Sequence, residues 1–343
     1  GESTPPKPEG PEMPEGWDGN KVNAVESADK VVVPVPKGYT ASSVSTENKV
    51  SEGFVIYEGQ EAVTNTNADT ARRTRNQFVW VPVENPSDMY GTDKDGKKRG
   101  KLYNFSASGI IAENWTEQGG VMSITSETSY REPDVLESFD SSNSVTISQL
   151  ETEFNNMIES VKKYGGFYIG RYETGNLSQE KASIIKNNSD IGNQTWYTMY
   201  KKAKGIAVNN NVTSSMIWGS QYDQIMIWMK GEKSSDQASS RGKYYVTNGA
   251  GKGNYKTISG VENDVYSGVA PTGSQDPYST KNIFDLAGNV WEWTLEYSSK
   301  ASTPCTIRGG SYDSTLAESR VNYRNNGNTT FSYYSVGFRV TIY

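Results

Sequence analysis

Cys305 is the only cysteine in a chain of 343 residues, and there is no histidine. One thiol can form neither an internal disulfide nor a CxxC zinc knuckle, so the fold has to be held by packing and hydrogen bonding alone. The length allows a substantial buried core. Only 34% of residues are hydrophobic, but the chain holds 22 Tyr, 9 Phe and 8 Trp, which points to a globular, polar-surfaced, Tyr-rich protein and against wholesale disorder. Cys305, beside strand-like residues, is expected to be a small buried apolar group. Without imidazole there is no Ser-His-Asp or Cys-His pair and no His metal site.

The formal net charge of -6 and pI near 5.1 argue against nucleic acid or an anionic membrane as the main partner, because both need a basic face. The one dense basic cluster, KKRGK at 97–101, follows Asp93 and Asp95 in TDKDGKKRGK, whose DG step reads as a polar hairpin turn. No apolar run approaches the roughly 18 residues of a membrane span. An export signal or anchor, if there is one, is expected upstream of Gly1, so the chain itself is not expected to insert into a membrane.

Three units are expected along the chain. Residues 1–20 hold five prolines among Glu and Gly and read as a disordered linker. Residues 21–60, with VVVPVP (31–36) and GFVIYEG (53–59), read as an N-terminal β-strand extension carrying a pair of strands. Residues 61–343 read as the main domain. There QFVWVPV (77–83) is a central strand ending near Pro82, and the Ser, Gly, Asp and Asn rich stretch 84–145 is expected to be long loops.

From Ser148 the spacing of Leu150, Phe154, Met157, Ile158 and Val161 predicts a helix, with Ser148 and Glu151 as a capping box and Lys162 and Lys163 suiting its C-terminal dipole. GGFYIGRYETG (165–175) reads as a strand. TWYTMYKKAKGI (195–206) and SQYDQIMIWM (220–229), the latter capped by Ser220 and Asp223, read as helices. TIRGGSY (306–312) and VGFRVTIY (336–343) read as paired terminal strands. No repeat with a period of 20–50 residues is visible, which argues against solenoids and propellers.

GNVWEW at 288–293, RGGSY at 308–312 and GFRV at 337–340, in that order, resemble the C-terminal signature of the formylglycine-generating enzyme family. FVWVPV and FYIGRYETG resemble that family's opening and following strands, so the resemblance covers about residues 50–343. It implies an α+β, C-type-lectin-like fold with long loops and little regular secondary structure. In GNVWEW, alternation puts Trp291 and Trp293 on one face. The resemblance would allow calcium on Asn289 and Glu292, but one amide and one carboxylate are too few ligands for a site. No other cofactor is expected. Arg308 and Arg339 are expected to be paired structurally.

The departure from that family concerns its chemistry. Its enzymes carry a reactive cysteine pair just after RGGS, where they handle copper and the substrate thiol. Here that stretch reads DSTLAES, with Ser314 and Ser319 in place of the pair, and serine cannot supply a soft thiolate. No catalytic residue is assigned on that ground. An enzyme of the family with an altered site would have to use carboxylates, of which Glu173, Asp223, Asp285 and Glu292 are the ones to inspect for a close pair.

Fifteen of the 23 residues at 313–335 are Asn, Tyr, Ser, Thr or Asp, and strands flank the segment on both sides. Tyr offers large rigid contact area at little entropic cost, and Ser, Asn and Gly add adaptable hydrogen bonds, so the composition is that of a paratope. The alternative is a solvated loop that is Tyr-rich like the rest of the chain. The layout of RGGS, an Asn/Ser/Tyr stretch and a closing GFR also resembles lectin-fold variable proteins diversified by retroelements. Adenine mutagenesis of AAC-type codons cannot yield Lys, Gln, Met or Trp, and none of these occurs at 313–335. That resemblance implies ligand contacts by Asp313, Ser314, Thr315, Tyr323, Asn325, Asn326, Asn328, Thr329, Ser332, Tyr333 and Tyr334, with Arg320, Arg324, Leu316, Ala317 and Val321 as scaffold.

The N-terminal layout further resembles secreted Gram-positive proteins with a pilin-like anchoring helix. The expected place is therefore extracellular, on a cell surface or phage particle, and the expected partner a protein or glycan on another cell, phage or host surface. A purely structural pilus or surface subunit is the remaining alternative.

Overall fold

The computed structural model describes residues 10–106, 109–112, 121–122, 128–134, 145–207, 209–229, 253–255, 268–314 and 321–343. The β-branched and aromatic runs of the sequence become its strands. In chain order these begin with β1 (Val22–Glu26), β2 (Val32–Pro36), β3 (Tyr39–Ala41), β4 (Val55–Glu58), helix α1 (Ala68–Thr74) and β5 (Gln77–Pro82). Six short strands follow: β6 (Tyr90–Thr92), β7 (Lys98–Gly100), β8 (Asn104–Ser106), β9 (Gly109–Ala112), β10 (Val121–Met122) and β11 (Ser129–Arg131). Next come α2 (Ile147–Tyr164), β12 (Gly166–Gly170), α3 (Trp196–Lys204), β13 (Ser214–Met216) and α4 (Gly219–Met229). The chain closes with β14 (Ser279–Thr280), β15 (Ile283–Phe284), β16 (Trp291–Ser298), β17 (Cys305–Arg308), β18 (Arg324–Gly327), β19 (Val336–Phe338) and β20 (Val340–Ile342).

Two six-stranded sheets carry the architecture. One has the order β13-β20-β12-β5-β4-β3; the other runs β10-β11-β16-β17-β18 with β19 added parallel to β16. Strand β5 is interior, as its apolar run predicts, and Pro82 sits at its last pair, opposite Gly166. β19 and β20 are separated only by Arg339, yet they belong to different sheets, so the last eight residues tie the two sheets together. TIRGGSY and VGFRVTIY are both strands, but not with each other: β17 lies between β16 and β18, while β20 lies between β12 and β13. Likewise VVVPVP and GFVIYEG are strands in different sheets, β2 pairing with β1 and β4 with β3 and β5.

The expected boundary near residue 60 falls inside a sheet, because β3 and β4 are hydrogen-bonded onto β5. Nor is the leading segment free from Gly10 on. The Trp17 ring meets Tyr164 edge-on at 5.9 Å, and the Lys21 amide donates to the Asp18 carbonyl. The DG step does turn a hairpin: Asp93 Oδ1 accepts from the amides of Asp95 and Lys97, between β6 and β7.

Helix α2 buries the five predicted apolar residues and ends at Gly165, whose φ of 82° is the left-handed conformation favoured at that position. Its cap is Thr146, not Ser148: Thr146 Oγ1 accepts from the Gln149 amide at 3.1 Å, because the helix starts two residues earlier than the periodicity shows. Helix α4 is not capped by Ser220 and Asp223 either. The Glu132 carboxylate from a distant loop accepts the amides of Gly219 and Ser220 at 2.7 and 2.9 Å, which frees Asp223 for another role. Among the described residues no helix is long and apolar enough to cross a membrane.

Candidate ligand-binding loop

Strands β17 and β18 form an antiparallel pair, and residues 328–335 connect β18 to β19, which lies parallel to β16. The root is fixed by buried charge. Asp223 accepts from Arg308 Nη2 at 2.8 Å and from Arg324 Nη2 at 2.5 Å, and Glu296 accepts from Arg324 Nε at 2.7 Å. Both arginines and both acids are essentially removed from solvent, so the four charges must compensate one another. Arg324 is thus scaffold, and so is Val321, which is buried and whose carbonyl accepts from Tyr222 Oη. Gly327 is required by close approach: a Cβ there would lie 2.5 Å from the ring of Trp293.

Beyond the root the backbone remains tied while the side chains turn outward. The carbonyls of Tyr333 and Ser335 accept from the amides of Asn193 and Trp291 at 2.8 and 2.7 Å. Among the described residues six large hydrophobic side chains are exposed, and four lie here: Tyr334 (73%), Phe331 (54%), Tyr323 (41%) and Tyr333 (41%). Tyr323 lies 6.3 Å from the Trp291 ring, and Phe331 meets Tyr333 edge-on at 6.1 Å. Asp313, Asn325 and Ser332 are also exposed.

The remaining predicted contacts divide. Thr329 is 1% exposed, so its side chain faces inward; the turn at 329–330 is set by Asn328 Oδ1, which accepts from the Thr330 amide. Asn326 and Asn328 are half-buried and spend their amides internally, Asn326 on Thr303 and Tyr130, Asn328 on Ser302 and Thr330. Ser314 is half-buried and bonds Ser311. Thr315, Leu316, Ala317, Ser319 and Arg320 lie outside the described residues. Phe331 was missed by the sequence reading, although its place in TTFSYYS among polar neighbours marks it as an aromatic with nothing to pack on.

The acids that an altered enzyme would use fall into two groups. Glu173, Asp285 and Glu292 gather around Arg339, which donates to Glu292 Oε1 at 2.7 Å; Asp223 belongs to the loop root. Burial raises the pKa of all three, Glu173 furthest, with Asp285 raised to about 6, while Arg339 opposes the rise. All three are buried and none lines a principal cleft, so the group is built as a core network under the loops. Calcium does not fit Asn289 and Glu292. The Asn289 amide is spent on Glu173, Ala270 and Asn254, and the Glu292 carboxylate on Arg339. Among the described residues no group of three or more acids or thiols could hold a metal. Copper does not fit either: Ser314 offers a hydroxyl, and Cys305 is a buried core thiol whose pKa burial pushes well up.

Residues 227–342 match the family described as Sulfatase-modifying factor enzyme 1-like domain, a span that runs from α4 through both sheets to β20. The helices and mixed sheets put the fold in the α+β class, with the likeness to that family lying in residues 227–342. No curated protein matches the chain. Among solved structures the chain is similar to CarF at 15% identity, over 51% of this chain and 85% of that one, with a TM-score of 0.38. It is similar to PvdO from Pseudomonas aeruginosa at 16% identity, over 52% and 81%, with a TM-score of 0.32. It is also similar to Treponema denticola variable protein 1 at 14% identity, over 88% and 98%, with a TM-score of 0.28.

Proposed function

We propose that the chain is a non-enzymatic recognition protein, displayed on a cell or phage surface, that binds a protein or glycan ligand through the 313–335 loop of its formylglycine-generating-enzyme-like fold. One observation carries this reading: four of the six exposed large hydrophobic side chains among the described residues lie within residues 323–334, on either side of β18, where the backbone is anchored. A soluble chain gains no stability from exposed aromatics held in this way, whereas rigid Tyr and Phe side chains are what binding energy concentrates on. Asn325, Ser332 and Asp313 supply adaptable polar contacts beside them.

The test is a binding screen of the whole chain against glycan arrays and surface-protein libraries, beside the triple variant Tyr323→Ala, Tyr333→Ala, Tyr334→Ala. Hits for the parent that vanish in the variant, with the melting temperature lowered only by the small cost of Tyr323→Ala, are expected. Hits that persist in the variant would sink the reading. Whether the loop belongs to the diversified class is read from the encoding locus, where a near-copy of the segment for residues 308–343, differing only at template adenines, is expected.

A further inference from the structure

A cleft of about 600 Å³, none of whose lining residues belongs to the 313–335 loop, opens between α2, the β1–β2 hairpin and the end of β20. Its volume lies in the range of small-ligand sites. Tyr164, half-buried, lines it over Trp80 and Tyr168, which lie 4.9 Å apart and are almost wholly buried, and Asn156, Asn210 and Ser160 line it as well. Three ammonium groups surround it in a chain of net charge -6: Lys21, Lys162 and Lys163. Lys162 is paired with Glu159 at 3.4 Å. Among the described residues no ion pair with a carboxylate engages Lys21 or Lys163, and the Lys163 ammonium lies over the Tyr164 ring at 5.7 Å.

We propose that this cleft binds an acidic saccharide, with the carboxylate between Lys21 and Lys163, a ring face on Tyr164, and hydroxyls on the asparagine and serine rim. The charge preference rests on Lys21 and Lys163. Glu159 also lines the cleft but is paired with Lys98 and Lys162, and the C-terminal end of α2 opposes any anion, so the site suits no more than one carboxylate. Amides and a hydroxyl beside the Tyr164 ring match the alternation of hydroxyl edge and apolar face in a sugar ring.

The probe is trigalacturonate, titrated calorimetrically into the whole chain, with maltotriose as the neutral counterpart. Binding of the acidic trimer alone is expected, weakened at least tenfold in the double variant Lys21→Ala, Lys163→Ala and largely abolished near 1 M salt, where the screening length is about 3 Å. Both lysines are exposed, and an unchanged melting temperature confirms that the variant folds. Equal binding of maltotriose, full binding by the double variant, no binding of the acidic trimer, or preference for an acidic proline-rich peptide each overturns the proposal. The triple tyrosine variant is expected to bind trigalacturonate as the parent does; loss there would move the site to the loop and end this assignment. Failure of the cleft leaves the loop's own screen intact.

Discussion

Within the 23 residues at 313–335, the root and the tip are built on opposite principles. At the root, Arg324 lies between Asp223 and Glu296 with almost no solvent contact, and Gly327 leaves room for the Trp293 ring. At the tip, Phe331, Tyr333 and Tyr334 stand in solvent on a backbone fixed by Asn193 and Trp291. The root spends its side chains on holding the sheet, so it has little freedom to vary. The tip takes its shape from main-chain bonds, so its side chains can change without disturbing it. A recognition surface needs this separation of scaffold from contact.

The comparison breaks most visibly at Asp223. Asp223→Ala leaves Arg308 and Arg324 without their shared acid, and removes the acceptor of the Tyr103 amide. An unfolding free energy lower by about 3–5 kcal/mol is expected from urea titration. A loss under about 1 kcal/mol would mean that the root is not the anchor. Gly327→Val comes next: its side chain would drive into Trp293 and should cost on the order of 1–3 kcal/mol. If the hairpin shifts to make room, binding at the tip should fall with stability.

A subtler break runs through pH. Glu132 caps α4 from a fully buried site. Burial, aided by the neighbouring Glu296, raises its pKa from an ordinary 4.5 to about 8, against the lowering effect of the Gly219 and Ser220 amides. The folded protein therefore holds a proton that the unfolded chain releases. This contribution to stability is full below about pH 4.5 and is lost as pH rises through about 8. Each such group tilts stability by up to about 1.4 kcal/mol per pH unit. Glu173, Glu292 and Glu296 are raised by burial as well, so Glu132→Gln should reduce but not abolish the slope between pH 6.5 and 8, a window that lies above the titration of Asp285. The glutamine also leaves one α4 amide poorly met, so the whole curve should sit lower. An unchanged slope in chemical denaturation would show that Glu132 is ionised in the fold.

Root and tip were not equally legible in the sequence. The strands of the core announced themselves, since FVWVPV and FYIG are runs of apolar and aromatic residues. Arg308 and Arg339 could be read as paired because arginines within strand motifs have to find acids. Their partners could not be read: Asp223 sits in a helix segment where it imitates a cap, and Glu132 serves α4 from 87 residues away. Long-range charge pairing leaves no local period in a sequence. The same limit explains why β19 and β20 seemed one strand, since only the tertiary pairing sends them to different sheets. At the tip, composition marked an exposed Tyr-rich segment but not the orientation of each residue, so Thr329 was taken as outward and Phe331 was passed over.

The smallest stability effects should be found at the tip, and they should be graded by what lies beneath each ring. Tyr334 is the most exposed and has no ring partner among the described residues, so Tyr334→Ala should change unfolding free energy by no more than about 0.5 kcal/mol. Tyr333 meets Phe331 edge-on, but both rings are in solvent, which leaves little of the contact's value to lose. Tyr323 rests near Trp291, a buried ring of β16, so Tyr323→Ala should cost more, about 0.5–1.5 kcal/mol for an aromatic pair. Thermal melts of the three single variants therefore rank the tip by its attachment to the root, with Tyr323 lowest. If Tyr334→Ala is instead the most damaging, its ring is packing against the fold, and the loop is a closed piece of structure with no face left for a ligand.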